Sequence, residues 1–194
     1  MNHPRDWFTW FLEAAPALLG LVILASTYRH FRFTDLVYLL IAGHAVILLI
    51  GAHYTYAEVP AFNWLRDHYH LARNHYDRLG HLAQGFVPAI IVREILLRAT
   101  PMRRGPLLVV VVLLVCLGIS ATYELFEWIV AEATGAAADA FLGSQGDPWD
   151  TQWDMACALI GASSSLLLIG PVHDRQLAGV PTQRAVDDAP AARV

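Results

Sequence analysis

The sequence has few charged residues for its length and only two cysteines, and both shortages restrict what the protein can be. Charged residues make up 15% of the 194 residues, whereas soluble domains carry about 25%. A soluble globular protein is disfavoured, because long apolar runs replace the missing charge and the mean hydropathy is +0.44. Cys116 and Cys157 lie singly in apolar segments, which excludes a disulfide framework and a zinc site made of close cysteine pairs.

Several familiar sequence signals are also absent. Glu13 interrupts the first apolar run and no basic region precedes it, so we expect this segment to be retained rather than cleaved as a signal peptide. The alternating pattern of a membrane β-barrel is missing, and so are an internal repeat and the G-x-S-x-G motif of serine hydrolases. Nucleic acid is excluded as a partner, because no basic patch faces a suitable compartment.

Five apolar segments are each long enough to cross about 30 Å of hydrocarbon as a helix. They cover residues 8–28, 35–55, 79–98, 106–130 and 152–171. Because backbone polar groups must pair internally in lipid, these segments predict an all-α class, a polytopic membrane helical bundle formed by one domain, residues 1–172. From His173 onward the chain lacks periodicity, which predicts a disordered cytoplasmic tail over residues 173–194.

The arginines indicate the orientation, because short cytoplasmic loops carry an excess of positive charge. With five spans, nine of the thirteen arginines fall on the side of the C-terminus, and four fall on the other side. The N-terminus is therefore predicted to lie outside and the C-terminus in the cytoplasm.

Ionisable residues gather at the predicted extracytoplasmic ends of the helices, where such groups are costly and tend to mark functional sites. In and before the third segment, polar residues recur at intervals of 4, 3, 4 and 3. If this helix begins near Asn63, they form one polar stripe that runs into the membrane. The stripe consists of His70, Asn74, Asp77, His81 and Gln84.

Three helices each provide a pair of candidate metal ligands one turn apart: Asp77 with His81, Glu124 with Glu127, and Asp150 with Asp154. Side chains at this spacing can converge on one ion, and mixed nitrogen and oxygen ligands suit a divalent transition metal such as Zn, Fe or Mn. His53, at the end of the second helix, is predicted to complete the set, and Glu124 and Glu127 are the predicted catalytic residues. The residues predicted to contact substrate or support the ligands are His70, Asn74, Arg78, Trp128 and Trp153.

The same residues admit purely structural interpretations. Asp147 and Asp150 can cap the fifth helix beside its positive N-terminal end. The two glutamates of the fourth helix can instead form an ion network with Arg73 and Arg78.

Three polar residues lie away from this cluster. His44 is in the middle of the second span and is interpreted as a packing residue with its polar atoms satisfied. Arg93 and Glu94 lie near the cytoplasmic end of the third span, where snorkelling is sufficient to explain them.

Four strings of the sequence resemble one known family. They are HYTYAEVP (53–60), RNHYDRLGH (73–81), YELFEW (123–128) and GDPWDTQWDM (146–155). They are similar to motifs of the YjdF family of small bacterial inner-membrane proteins. The resemblance implies a multi-pass protein of the bacterial inner membrane and singles out the same outer residues, but it implies no reaction.

The favoured function is a metal-dependent hydrolase or transferase at the membrane surface, in which one carboxylate acts as a general base on metal-bound water. Aromatic residues near the cluster suit membrane lipid or another amphipathic substrate held at head-group depth; they are Trp64, Tyr69, Tyr76, Trp128, Trp149 and Trp153. The alternative is a carrier or sensor for a divalent metal ion or small solute, although the sequence has no repeat that would suggest transporter symmetry. A structural or partner-binding membrane subunit is the third interpretation.

Overall fold

The structure is a computed structural model that describes residues 3–135 and 139–180, and every regular element in these two ranges is helical. The elements in chain order are α1 (Trp7–Thr27), α2 (Asp35–Tyr54), a 3₁₀ turn (Tyr56–Glu58), α3 (Pro60–Tyr69), α4 (Tyr76–Ala99), α5 (Pro106–Thr134), α6 (Asp139–Leu142), α7 (Asp150–Leu168) and α8 (Gly170–Leu177). The predicted all-α class is confirmed for the described residues.

Local sequence determines several helix ends. The carboxylate of Asp6 accepts a hydrogen bond from the backbone N–H of Thr9 at 2.6 Å and caps α1, and this hydrogen bond lowers the pKa of Asp6. Pro106 occupies the first turn of α5, where a missing N–H costs nothing. Gly135 ends α5 at a φ of +61°, a conformation that favours glycine.

The helices differ in how well they suit a membrane. By length and composition, α1, α2 and α5 can each cross one, and α7 with α8 makes a fourth span if that pair, bent by 55°, is taken as one. The helix α4 is 24 residues long but is not among these candidate spans, and it carries five charged residues. They are Asp77, Arg78, Arg93, Glu94 and Arg98. The five-span count and the orientation of the termini stay predictions.

Burial explains how α4 tolerates its charges. It packs against α2, α5 and α7 and contributes many of the buried residues of the protein. The outer helices instead present large apolar side chains, since Leu21, Leu39 and Leu114 are 64%, 71% and 61% exposed. Protein therefore screens the polar residues of α4, while the surface around it suits lipid.

The chain breaks between α3 and α4, which corrects the prediction of one helix beginning near Asn63. His70 ends α3 in the left-handed region, with a φ of +54°, and it is exposed. The fully buried Asn74 then holds the loop: its side chain donates to the backbone oxygen of Val59 at 3.1 Å and accepts from the backbone N–H of Tyr76 at 3.0 Å. The predicted polar stripe is thus continuous only within α4.

Small residues bring α4 and α7 into backbone contact. A Cβ atom at Gly85 would lie 1.8 Å from the carbonyl oxygen of Ala158, and one at Gly161 would lie 2.0 Å from that of Leu82. Small residues at a helix interface allow the backbones of membrane helices to approach each other this closely. The contact sets the start of α4 beside the start of α7, where the candidate ligands lie.

At the other end of α4, Glu94 is fully buried in a hydrogen-bonded network. Its carboxylate accepts from the backbone and hydroxyl of Thr34 at 3.0 and 2.7 Å and from Arg98 at 2.5 Å. Arg93 can only donate, so it donates to Nδ1 of His173 at 2.9 Å, and the His173 Nε2–H donates to Glu94 at 2.9 Å. This burial contradicts the interpretation of Arg93 and Glu94 as snorkelling residues.

The same network changes the predicted start of the tail. Because α8 runs from Gly170 to Leu177 and His173 is fully buried, the first residues of the predicted disordered tail are helical and packed. Residues 181–194 lie outside the described part of the chain.

Candidate functional site

His81 lies at the centre of a buried cluster of carboxylates from three helices. Its Nε2 atom is 3.6 Å from Oδ1 of Asp77 on α4, 3.7 Å from Oε1 of Glu124 on α5 and 3.8 Å from Oδ1 of Asp154 on α7. All four residues are at most 8% exposed. The structure thus brings together the predicted ligand pair of α4 with one member of each other pair, Glu124 and Asp154.

The donor atoms are arranged closely enough to hold one metal ion. One ligand atom each from Asp77, His81 and Asp154 lie within 4.8 Å of one another. Ligand atoms around a tetrahedral zinc ion are roughly 3.3 Å apart, given metal–ligand bonds of about 2.0–2.1 Å. The distances from His81 Nε2 to the carboxylate oxygens, 3.6–3.8 Å, therefore need contractions of a few tenths of an ångström. The oxygens of Asp77 and Asp154, which lie within 4.8 Å of each other, need to approach by up to about 1.5 Å. Oε1 of Glu124 is buried and has no hydrogen-bond partner among the described residues, which leaves it free to act as a fourth ligand.

Two arginines neutralise the acidic start of α7. Arg78 donates to Asp150 at 2.6 Å, to Asp147 at 3.2 Å and, in a close contact, to Asp154. Arg73 contacts Asp150 closely as well, and its Nη2 donates to the backbone oxygen of Gly143 at 3.1 Å. The arginines therefore pair with these aspartates, in contrast to the interpretation that paired them with the glutamates of α5.

Partial burial affects the histidine beside these arginines. His75 immediately precedes α4, and burial lowers its pKa, with the positive charges of Arg73 and Arg78 adding to the effect. His75 is not part of the cluster around His81.

The other predicted ligands lie apart from His81. Asp150 is bound between the two guanidinium groups. The ring of His53 packs edge-on against Tyr54 with ring centroids 4.7 Å apart, and the backbone oxygen of His53 accepts from the N–H of Arg5. Glu127 is one turn from Glu124 but lines a cavity beside the cluster.

This cavity has a volume of about 520 Å³ and opens onto the cluster through Asp77 and His81. Its walls are largely apolar and include Leu12, Leu19, Leu48, Pro88, Ile119, Phe126 and Phe141. The polar residues that line it are Glu13, His44, Tyr56, Asp77, His81, Gln84, Thr122, Tyr123 and Glu127. A concave, mostly apolar site with a few polar groups is typical of a small-molecule pocket.

The residues predicted to contact substrate or support the ligands take different positions. Trp128 and Trp153 are 59% and 55% exposed, so they face outward from the bundle. His70 is exposed and Asn74 holds the loop before α4. Arg78 supports the cluster through its contact with Asp154.

Glu13 and His44 line the cavity but lie outside the site predicted from the sequence. Glu13 is 2% exposed, and neither of its carboxylate oxygens has a partner among the described residues. A carboxylate in an otherwise apolar span is a signal that would have selected it. The Nε2 atom of His44 is also buried without a partner there, so His44 is not the satisfied packing residue that was predicted.

Comparison with known proteins identifies the family. Residues 1–175 match the family described as predicted membrane protein, DUF2238. The inner membrane protein YjdF of Escherichia coli (strain K12) is 46% identical over 173 residues, which cover 89% of this chain and 83% of that protein. No solved structure gives a significant match. These relationships confirm the predicted inner-membrane location, and the chain belongs to the DUF2238 family of membrane proteins.

Proposed function

We propose that the protein is a metal-dependent enzyme of the inner membrane, a hydrolase or transferase that acts on a lipid or other amphipathic substrate. The observation that carries this proposal is the position of His81. Its Nε2 atom lies within 3.8 Å of carboxylate oxygens from three helices, at the edge of a largely apolar cavity. Candidate ligands for a metal ion therefore lie next to a compartment that can hold an apolar chain.

The proposed topology has five spans: α1, α2, α4, α5 and α7. Three of these helices qualify on length and composition, and α7 does so together with α8. The buried position of α4 supports its inclusion, since its charged residues contact protein rather than lipid. An extracytoplasmic position of the cluster is supported by the excess of arginine on the side of the membrane predicted to hold the C-terminus.

The proposed site consists of four metal ligands in the cluster and a general base in the adjoining cavity. Asp77, His81, Glu124 and Asp154 would hold a Zn, Fe or Mn ion, whose chemistry is to polarise a substrate oxygen and to lower the pKa of bound water. Glu127 lines the cavity outside this set, where it can accept a proton from the attacking group. The apolar walls exclude bulk water and hold the chain of the substrate.

Elemental analysis of the purified full-length protein tests the metal site. We expect near-stoichiometric Zn, Fe or Mn in the wild type, and His81→Ala and Asp154→Asn should each lose most of it. His53→Ala is the matched control and should keep the metal, because His53 packs against Tyr54 away from the cluster. If the wild type holds no metal after reconstitution with all three ions, the cluster is a structural ion network and the proposal is wrong.

A second candidate function is a carrier or sensor for a divalent ion or small solute. It is favoured by His44 and Gln84, polar residues of α2 and α4 that line the same cavity. Proteoliposomes distinguish the two functions: a carrier gives ion flux that His81→Ala abolishes, whereas an enzyme gives turnover without flux.

A further inference from the structure

We infer that the cavity binds a cationic amphiphile, an alkylamine or a lipid with an amine in its head group, and that Glu13 binds the ammonium group. This inference rests on the proposed function, since it names the class of substrate that the same cavity accepts. It is carried by Glu13 of α1, a residue outside the metal-compatible group.

Glu13 lacks the partners that a buried carboxylate requires. It is 2% exposed and lines the cavity, and both of its oxygens are without hydrogen bonds among the described residues. An unpaired polar or charged group in an apolar environment is costly, and a bound cation with N–H donors removes that cost. In contrast, Asp150 and Asp154 are already paired with arginine.

The charges around the cavity favour a cation over an anion. Three carboxylates line it, from Glu13, Asp77 and Glu127, and arginine is absent from the described residues that line it. Arg73 and Arg78 lie 3.6 and 3.7 Å from Asp77, but they are shared with the aspartates at the start of α7. Among the described residues, Glu13 and Glu127 are lining carboxylates with no arginine beside them. Even a divalent ion at His81 would leave an excess of negative charge, because Glu124 and Asp154 also belong to the cluster. A phosphate head group would therefore be repelled.

Two aromatic residues add to this preference. Tyr56 and Tyr123 line the cavity together with Glu13, and ammonium groups are attracted to the faces of aromatic rings. The ring of Tyr56 is held in place by close packing, since a Cβ atom at Gly51 or Gly80 would lie 2.3 or 2.8 Å from it. Beyond these rings the leucine-lined wall suits an alkyl chain, and a volume of about 520 Å³ is in the range of small-molecule sites.

Three probes with the same twelve-carbon chain test the head-group preference: dodecylamine, dodecanol and dodecyl phosphate. Their binding is measured by isothermal titration calorimetry on the full-length protein in phosphatidylcholine nanodiscs, with protein-free nanodiscs subtracted. We expect dodecylamine to bind about tenfold or more tightly than dodecyl phosphate. Equal or tighter binding of dodecyl phosphate overturns the inference.

The role of Glu13 is tested with Glu13→Gln, which keeps the shape of the side chain and removes the charge. Its affinity for dodecylamine should fall about tenfold or more, with the affinity for dodecanol unchanged. Glu132→Gln is the control, because Glu132 is exposed on α5, and it should bind like the wild type. An unchanged amine affinity in Glu13→Gln contradicts the assignment.

Metal content separates this inference from the proposed function. Glu13→Gln should keep the metal of the wild type, which also shows that the variant is folded. Selective amine binding by a protein that holds no metal supports the ligand class and refutes the enzyme. Metal binding without amine selectivity supports the metal-dependent enzyme and refutes the ligand class.

Discussion

At His81, one imidazole contacts carboxylates that the chain supplies from three separate helices. The spacing of Asp77 and His81 within α4 predicts their contact, because residues four apart share a helix face. The same rule predicts that Asp150 and Asp154 both lie near His81, which is right for Asp154 and wrong for Asp150. Asp150 is one turn from Asp154 but is bound by Arg73 and Arg78. The contact with Arg73 depends on how the loop before α4 folds, and the contact with Arg78 depends on how α4 packs against α7. Residue spacing within one helix encodes neither.

The two glutamates of α5 have different proposed roles, and single substitutions should separate them. Glu124 faces His81, while Glu127 lines the cavity. Glu124→Gln should weaken metal affinity about tenfold or more, because it removes a charged ligand atom. Glu127→Gln should leave metal affinity unchanged. Competition with a chelating dye measures both, and equal losses in the two variants would contradict the division.

Arg78 should be essential for stability whether or not a metal is bound. Its side chain is 14% exposed and contacts Asp147, Asp150 and Asp154. Arg78→Met leaves the buried Asp154 without its arginine and leaves Asp147 and Asp150 with Arg73 alone, and we expect a loss of about 3 kcal/mol in the free energy of unfolding. Thermal unfolding in detergent measures the change. The control, Arg66→Met, removes a partly exposed arginine whose ion pair among the described residues is with its neighbour Asp67, and it should unfold like the wild type.

At the level of the helices, the packing of α4 against α7 determines whether the candidate metal ligands come together. Hydropathy identifies α1, α2 and α5 readily, since their outer faces are apolar. It is least informative for α4, because neighbouring helices rather than lipid surround its polar residues. The break after His70 is equally difficult to foresee: histidine adopts a positive φ there without the glycine that usually marks such a turn.

Gly85→Ala should damage the site without touching a ligand. The added methyl group would lie 1.8 Å from the carbonyl oxygen of Ala158, so α4 and α7 must separate. We expect a loss of about 1–3 kcal/mol or more in stability and weaker metal binding, because Asp154 moves away from His81. Gly118→Ala is the matched control on α5, where a Cβ atom meets nothing within 4 Å. Similar unfolding temperatures for the two variants would contradict the close packing.

For the whole molecule, the proposed orientation is testable at the C-terminus and in the loop between α3 and α4. A reporter fused directly after Val194 should be active in the cytoplasm, and a cysteine introduced at the exposed position His70 should react with a reagent that cannot cross the inner membrane. We expect this because nine of the thirteen arginines fall on the side of the membrane predicted to hold the C-terminus. A periplasmic signal from the C-terminal reporter would place the cluster at the cytoplasmic face instead.

The charged, buried helix α4 also has a consequence for biogenesis. A segment that carries Asp77, Arg78, Arg93 and Glu94 partitions poorly into lipid by itself, and its neighbour α7 has not yet been made when α4 leaves the ribosome. At about 5–20 residues per second, the ribosome needs roughly 3 to 14 seconds to proceed from Ala99 to Leu168. In the proposed five-span topology, α4 would depend during that interval on α2, on α5, on the translocon or on an insertase, and its stable insertion would coincide with the arrival of Gly161 and Asp154. Assembly of the site and completion of the membrane topology would then be the same event.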